Sequence, residues 1–372
     1  VKPTQQNDRV STRATPRASQ PAIAWSWPHA LVGVVYAIPA ATVALRDPQL
    51  GIPLAVGVLP AAMVGIPPRR RSRIIILVIG VLAGASLFLG GVLAHLPLVL
   101  AAILLAAAVV GAALLASALA FGRLVLVLCA PLVAAGLSYD DYASSAQTLL
   151  LLSLGAAYAC LVAMFWPAHS APQRPQAQLP DQKSMLVYGI RLGLAAAIVY
   201  AIAASMGLDH PGWAPAACLL VARPQVDLLQ SRGVGRVASV VVGALAAVLI
   251  LHSQPPEVVF ALVAAVVLGA AAATVGSRWY ITSAFTTLLV FLMLLNGHLD
   301  ETTYRINERV RETILGVAAA AFSGRVAHPD SPGAPHRKQP RRTVNPVGVA
   351  GRSQCVRLVP TPDTGRAGCA LW

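Results

Sequence analysis

Residues 74–122 read IIILVIGVLAGASLFLGGVLAHLPLVLAAILLAAAVVGAALLASALAFG, with no Asp, Glu, Lys or Arg and with His95 as the one ionisable side chain. The run is too long and too apolar for a soluble core helix. A bilayer is crossed by about 20 mostly apolar residues, so two spans fit here back to back. Outward from this stretch, charge-free windows recur at 18–45, 48–68, 142–173, 237–256, 258–277 and 279–299. Twelve spans are expected, near 27–45, 49–66, 74–94, 97–119, 122–138, 146–166, 186–206, 211–222, 236–253, 257–276, 280–298 and 309–325. The expected fold class is an all-α polytopic membrane protein. Its eighth span, within WAPAACLLVARP, is short and carries two prolines. A broken element of that kind is tolerated at membrane depth only against protein.

Composition agrees with lipid as the solvent. The chain is 57% hydrophobic and 11% charged, against roughly 25% charged in ordinary soluble domains. Mean hydropathy is +0.69. The net charge of +14 does not point to nucleic acid, because no basic stripe alternates with aromatics. Lys and Arg instead collect in the tails and in alternate loops, as the positive-inside rule describes. One side receives Lys2, Arg9, Arg13, Arg17, Arg69, Arg70, Arg71, Arg73, Arg123, Arg174, Lys183, Arg223, Arg232, Arg236 and Arg278. The other receives Arg46, Asp47, Asp140, Asp141, Asp209, Glu257, Asp300, Glu301 and Arg305. Both termini are therefore expected in the cytoplasm, with the bacterial inner membrane as the location. The polar, basic start of the chain reads as a cytoplasmic tail rather than a cleaved signal, whose apolar core comes early.

The two halves align at an offset of about 163 residues. Arg69 falls on Arg232, Arg73 on Arg236 and Gly80 on Gly243, while the Pro-marked segment 49–66 falls on 211–222. Each half holds an even number of spans, so two parallel six-helix repeats are expected. Matching interrupted segments point to a transport pathway. The division is a tail at 1–26, a first repeat at 27–166, a linker at 167–185, a second repeat at 186–325 and a tail at 326–372. The linker is rich in Pro and Gln, and the last tail has Pro, Gly and Arg without helical period, which reads as disordered.

Charges near hydrocarbon are the best functional signal, since each costs roughly 2.5–3.5 kcal/mol or more at a helix centre. Arg305, Glu308, Arg309, Glu312 and Gly316 recur every three or four residues, so a helix puts them on one face. Two readings stand for this face: a substrate, gating or proton-carrying cluster, or a helix start solvated in the headgroup layer. Arg191 sits one or two turns into a span. It either snorkels to the interface or faces inward, attracting an anion or pairing with Glu308 or Glu312. Trp213 marks an interface, and Arg223, Arg232 and Arg236 follow Pro224 in a basic loop. Gly243 and Gly316 are small-residue sites for close helix packing. Gly233 and Gly235 lack the lysine, strand and acid of a nucleotide site. Asp140–Asp141 reads as a loop turn, and His95, His210, His252 and His298 read as loop-proximal and unpaired. Cys129, Cys160 and Cys218 are isolated, and no metal, cofactor or hydrolase signature is present. No enzyme activity is expected.

These segments resemble the FUSC family, the fusaric acid resistance and aromatic acid exporter-like membrane proteins. The likeness rests on Trp213, on Pro224 about eleven residues later, on the Arg-rich turn to Arg236, on Gly243–Ala244, and on RVRETILG from Arg309 to Gly316. It covers roughly 186–325 well, and 27–166 as a faded copy. Ser239 and Val240 stand where the family has Gly and Thr, and a large soluble domain is reduced to the linker. The resemblance implies proton-coupled export of small, often aromatic, organic acids, with Arg309, Glu312, Thr313 and Gly316 on the matching motif. Arg191 or Arg309 would then face the substrate carboxylate, and Glu308 or Glu312 would carry the proton. The expected partners are lipid and a small organic anion, with a second copy or accessory envelope proteins as further partners. The alternative is a non-transporting scaffold or accessory subunit of an envelope complex.

Overall fold

The computed structural model describes residues 23–119, 121–167, 179–222, 229–275, 277, 279–295 and 302–326. The two tails, most of the linker, Arg223, Pro224, Arg278 and His298 lie outside these residues. Among the described residues there is no strand, and thirteen α-helical segments follow one another. In hydrocarbon only a helix or a closed barrel satisfies its own backbone polar groups, and the apolar runs are continuous rather than alternating.

The first half contains α1 (Trp27–Ala44), α2 (Pro48–Val64), α3 (Ile74–Ala94) and α4 (Leu98–Ala118). Then come α5 (Gly122–Leu124), a π-helical turn (Val125–Cys129), α6 (Ala130–Gly136) and α7 (Tyr142–Phe165). The second half contains α8 (Gln182–Ser205), α9 (Trp213–Val221), α10 (Leu229–His252), α11 (Glu257–Ala273), α12 (Trp279–Leu295) and α13 (Thr302–Val326). Local chemistry sets several starts. Asp47, Asp141 and Asp181 each precede a helix and accept hydrogen bonds from its first free N–H groups, as N-cap carboxylates do. Pro48 occupies a first-turn position, where its missing N–H costs nothing.

Six helices are long and apolar enough to cross a membrane: Trp27–Ala44, Arg70–Ala94, Leu98–Ala118, Tyr142–Phe165, Gln182–Ser205 and Ser231–His252. Pro48–Met63, Gly122–Gly136, Glu257–Ala273 and Ser283–Met293 are apolar but shorter. The nine-residue α9 is shorter still, about 13 Å at 1.5 Å per residue, and nearly every side chain in it is buried. Both ends of α9 are held by protein, with the Gly212 N–H donating to Ser138 Oγ at 3.1 Å and the Tyr188 hydroxyl donating to Ala222 O at 3.3 Å.

The helices of the two halves are interleaved. Helix α1 lies along α11, and α4 lies along α8. Helix α2 packs on α7 and α12, and α9 packs on α13 and α6. One hydrophobic cluster joins Leu105 of α4 and Val133 of α6 to Val199 of α8 and Leu219 of α9. A second joins Tyr36 of α1 and Val58 of α2 to Leu268 of α11. The outward faces carry Leu31, Ile38, Leu154, Leu194, Leu249 and Val266, all exposed. So large an apolar exterior suits lipid and not water.

Candidate functional site

Helix α13 carries the polar face that its spacing announces. Glu308, Arg309, Glu312 and Thr313 are all buried, so this face is turned into the bundle and is not a helix start solvated among headgroups. What holds α13 in place is Gly316. A methyl group there would stand 2.3 Å from Ala214 O and 2.8 Å from Cys218 N, so only glycine lets α13 lie against α9. That approach sets Arg309 over the Trp213 ring, with Cζ 3.4 Å from its centroid, a cation–π contact. Arg309 Nη1 also donates to Glu312 Oε2 at 3.1 Å, and Thr313 Oγ1 donates to Arg309 O at 2.8 Å.

A second guanidinium comes from α10. Arg236 is 8% exposed, and its Nη1 donates to Ser283 Oγ of α12. Ser239 Oγ, one turn on, donates to Arg236 O at 2.8 Å and lies 3.2 Å from Ser283 Oγ. Gly243 brings the two helices together, because a methyl there would meet Thr287 Cβ at 2.8 Å and Ala284 O at 2.9 Å. Arg236 and Arg309 are near enough to repel one another electrostatically. Glu312 pairs with Arg309, and Glu308, one turn away on the same face, is the second carboxylate that acts on Arg309. Among the described residues, Arg236 Nε and Glu312 Oε1 are buried without a hydrogen-bond partner. Buried polar groups are nearly always paired, so this place is one donor and one acceptor short of a finished structural network.

Toward the α8–α9 connection the same helix face meets a wetter cluster. Glu308 Oε1 accepts from the His210 backbone N–H at 2.9 Å, and Glu308 Oε2 lies 3.2 Å from His210 Nδ1. Arg305 Nη1 reaches Asp209 Oδ2 at 3.3 Å, His210 Nδ1 at 3.1 Å and Glu308 Oε2 at 3.8 Å. His210 is therefore not unpaired, as its place in a loop suggested; the ring is drawn in by a carboxylate 98 residues further along the chain. His95 also has partners, since it stacks on Tyr142 at 3.9 Å and its Nδ1 lies 2.9 Å from Gly91 O.

Arg191 is half-buried on α8 and stands apart from these carboxylates. Glu308 is tied to His210, just beyond the end of α8, and Arg191 lies fifteen residues before Met206, or about 22 Å along a helix. That separation leaves Arg191 out of reach of Glu308. Sequence reasoning also passed over Ser239 and Ser283 as polar members, and over the role of Arg73. Arg73 is fully buried, and its guanidinium donates to Pro67 O at 3.0 Å, Ala163 O and Trp166 O at 2.6 Å, and Pro167 O at 3.0 Å. It fastens α3 to the end of α7.

The chain is a multi-pass membrane protein with a buried ion-pair site in its second half. Residues 195–323 match the family described as fusaric acid resistance protein-like, and the matched stretch contains every member of that site. No curated protein and no solved structure matches the chain.

Proposed function

We propose that this protein exports small organic acid anions across the bacterial inner membrane, coupled to protons, through the site between α9, α10, α12 and α13. The observation that carries this reading is the unfinished hydrogen bonding of a buried guanidinium at that site. Arg309 is paired with Glu312, whereas the buried Arg236 donates from Nη1 to Ser283 Oγ and keeps a buried Nε without a partner among the described residues. In a low-dielectric interior an unsatisfied buried guanidinium is costly, and the carboxylate of a small acid would satisfy it with charge-assisted hydrogen bonds. The Trp213 face beside Arg309 suits an aromatic or otherwise flat body on that acid. The family match over 195–323 agrees with an efflux role.

Twelve membrane crossings in two parallel six-helix repeats are part of this reading. The packing pairs support it, because at the sequence offset α1 on α11 corresponds to α8 on α4, α2 on α7 to α9 on α13, and α2 on α12 to α9 on α6. The close approaches agree. Gly155 meets Gly57 and Val58 of α2, and Gly316 meets Ala217 and Cys218 of α9. By the positive-inside rule both termini are cytoplasmic and the His210 rim faces outward.

The test is flux of labelled benzoate in proteoliposomes, with and without a pH gradient. Saturable, gradient-dependent movement that is lost in Arg309→Gln supports export. Protein that inserts correctly but moves and binds no organic anion would leave the scaffold reading in its place.

A further inference from the structure

We infer that His210 is the residue through which protons reach the buried Glu312, passing first to Glu308. This rests on the export reading above and assigns it a proton route that the transport site alone does not contain.

Three observations converge. First, one ring nitrogen, His210 Nδ1, lies between a cation and a carboxylate, 3.1 Å from Arg305 Nη1 and 3.2 Å from Glu308 Oε2. As a lone pair it accepts from Arg305; as N–H it donates to Glu308. The ring therefore has a partner in either protonation state, without moving. Second, exposure falls along the line. The side chains of His210, Glu308 and Glu312 are 18%, 3% and 1% exposed, so the histidine meets water and the two carboxylates do not. Third, Glu308 and Glu312 are four residues apart on α13, one above the other on the same face. Glu312 ends in an Oε1 with no hydrogen-bond partner among the described residues, a free acceptor at the end of the route.

The transfer balances at each step. Water delivers a proton to neutral His210 at Nδ1, which exchanges the bond from Arg305 for one to Glu308. The imidazolium gives that proton to Glu308 Oε2 and returns to the neutral ring. The neutral Glu308 carboxyl then passes its proton one helical turn inward to Glu312 Oε1, by a swing of its side chain or through one bridging water that takes one proton and gives up another, and is again a carboxylate. Protonated Glu312 no longer holds Arg309 as an ion pair, so the guanidinium turns to the substrate anion.

Other charges face this route. Around His210 stand Asp209 on its own loop and Tyr304, Arg305 and Glu308 on α13. On the α6 side, Ser138 Oγ accepts from Gly212 N–H at 3.1 Å, two residues before Asp140. Around Glu312 stand Arg309 and Glu308 on α13 and His210 itself. The helices packed on α13 add Tyr200 of α8, Cys218 of α9 and Arg236 of α10.

The experiment measures benzoate-driven proton movement into proteoliposomes with a trapped pH dye, alongside benzoate binding. A general acid–base group typically contributes 10²–10⁴-fold, so His210→Gln is expected to slow proton movement about a hundredfold, with free imidazole in the outer medium restoring it. Glu308→Gln is expected to give the same loss without rescue by imidazole. Proton movement in His210→Gln at the wild-type rate, or a loss that imidazole does not restore, overturns the route. Wild type that binds benzoate without moving protons overturns the route, and with it the proton coupling, while leaving an anion-binding site and uncoupled export standing. Wild type that binds no benzoate removes that reading and the route with it.

Discussion

Arg73 and Arg236 occupy matching places in the two halves, and both are buried, yet their surroundings differ in kind. Around Arg73 four backbone carbonyls from two segments accept its N–H groups. Around Arg236 one serine hydroxyl accepts and a second arginine repels, and Nε is left without a partner among the described residues. A saturated buried guanidinium is a rivet, since nothing further can bind without breaking what is there. An unsaturated one is a receptor, since its desolvation is compensated only when an anion arrives. The difference follows from helix ends. The terminal carbonyls of α7 are orphans of the helix and lie beside Arg73, whereas Arg236 meets the sides of α12 and α13, whose carbonyls are already used.

The contrast is open to direct attack. The largest effect is expected from Arg73→Met, which leaves several carbonyls unpaired. Breaking a buried charged network costs about 3–5 kcal/mol, so the detergent-solubilised protein should melt far below wild type. Arg236→Met should do the reverse, keeping the melting temperature within a few degrees while weakening benzoate binding about tenfold, or about 1.4 kcal/mol. Equal melting losses for the pair would end the distinction between rivet and receptor. Gly316→Leu should cost about 1–3 kcal/mol through overpacking, because its side chain would run into Ala214 O, and it should also separate Arg309 from Trp213. Indole fluorescence quenching by Arg309 reports that separation. Glu312→Gln should leave the protein inserted and folded but make anion efflux independent of pH, read as flux across a pH series.

The smallest effect is expected at the cap of α8. Hydrogen bonds from the Ser184 backbone N–H and hydroxyl hold the Asp181 carboxyl below its ordinary value of 3.8. A carboxyl lowered on folding contributes stability above its unfolded value and loses it as pH falls through the folded one. Protection of the first-turn amides of α8, taken as their exchange relative to the rate of an unstructured chain at the same pH, should therefore be level from neutral pH down to about 4 and fall only in stronger acid.

Much of the molecule was legible as a string. Residues 74–94 and 98–118 are helices with the bounds their charge-free runs announce, or nearly so, because hydrocarbon leaves an apolar backbone few other conformations. The short, proline-marked α9 was legible too, as was the shared face of Glu308, Arg309 and Glu312, since 3.6-residue periodicity fixes it. Of the two readings of Arg191, snorkelling or facing the carboxylates, a pairing with Glu308 is out of reach, because α8 puts that arginine about 22 Å along the helix from the rim where Glu308 sits, and sequence gives such depths only loosely. His210 and Ser283 carried no signal, since their partners are dozens of residues away.

Hydropathy by itself determined that this chain lives in lipid, where most of its apolar helices lie, and which of them carry charge, although α10 and α13 each begin seven residues before their expected spans, at Leu229 and Thr302. Those outcomes depend on short-range properties: transfer free energy, helical period and N-caps. Whether a given arginine is a fastener or a free donor was decided only by tertiary packing. The sequence places an arginine at both 73 and 236, and the identity of the groups within 3 Å of each guanidinium depends on how distant helices cross.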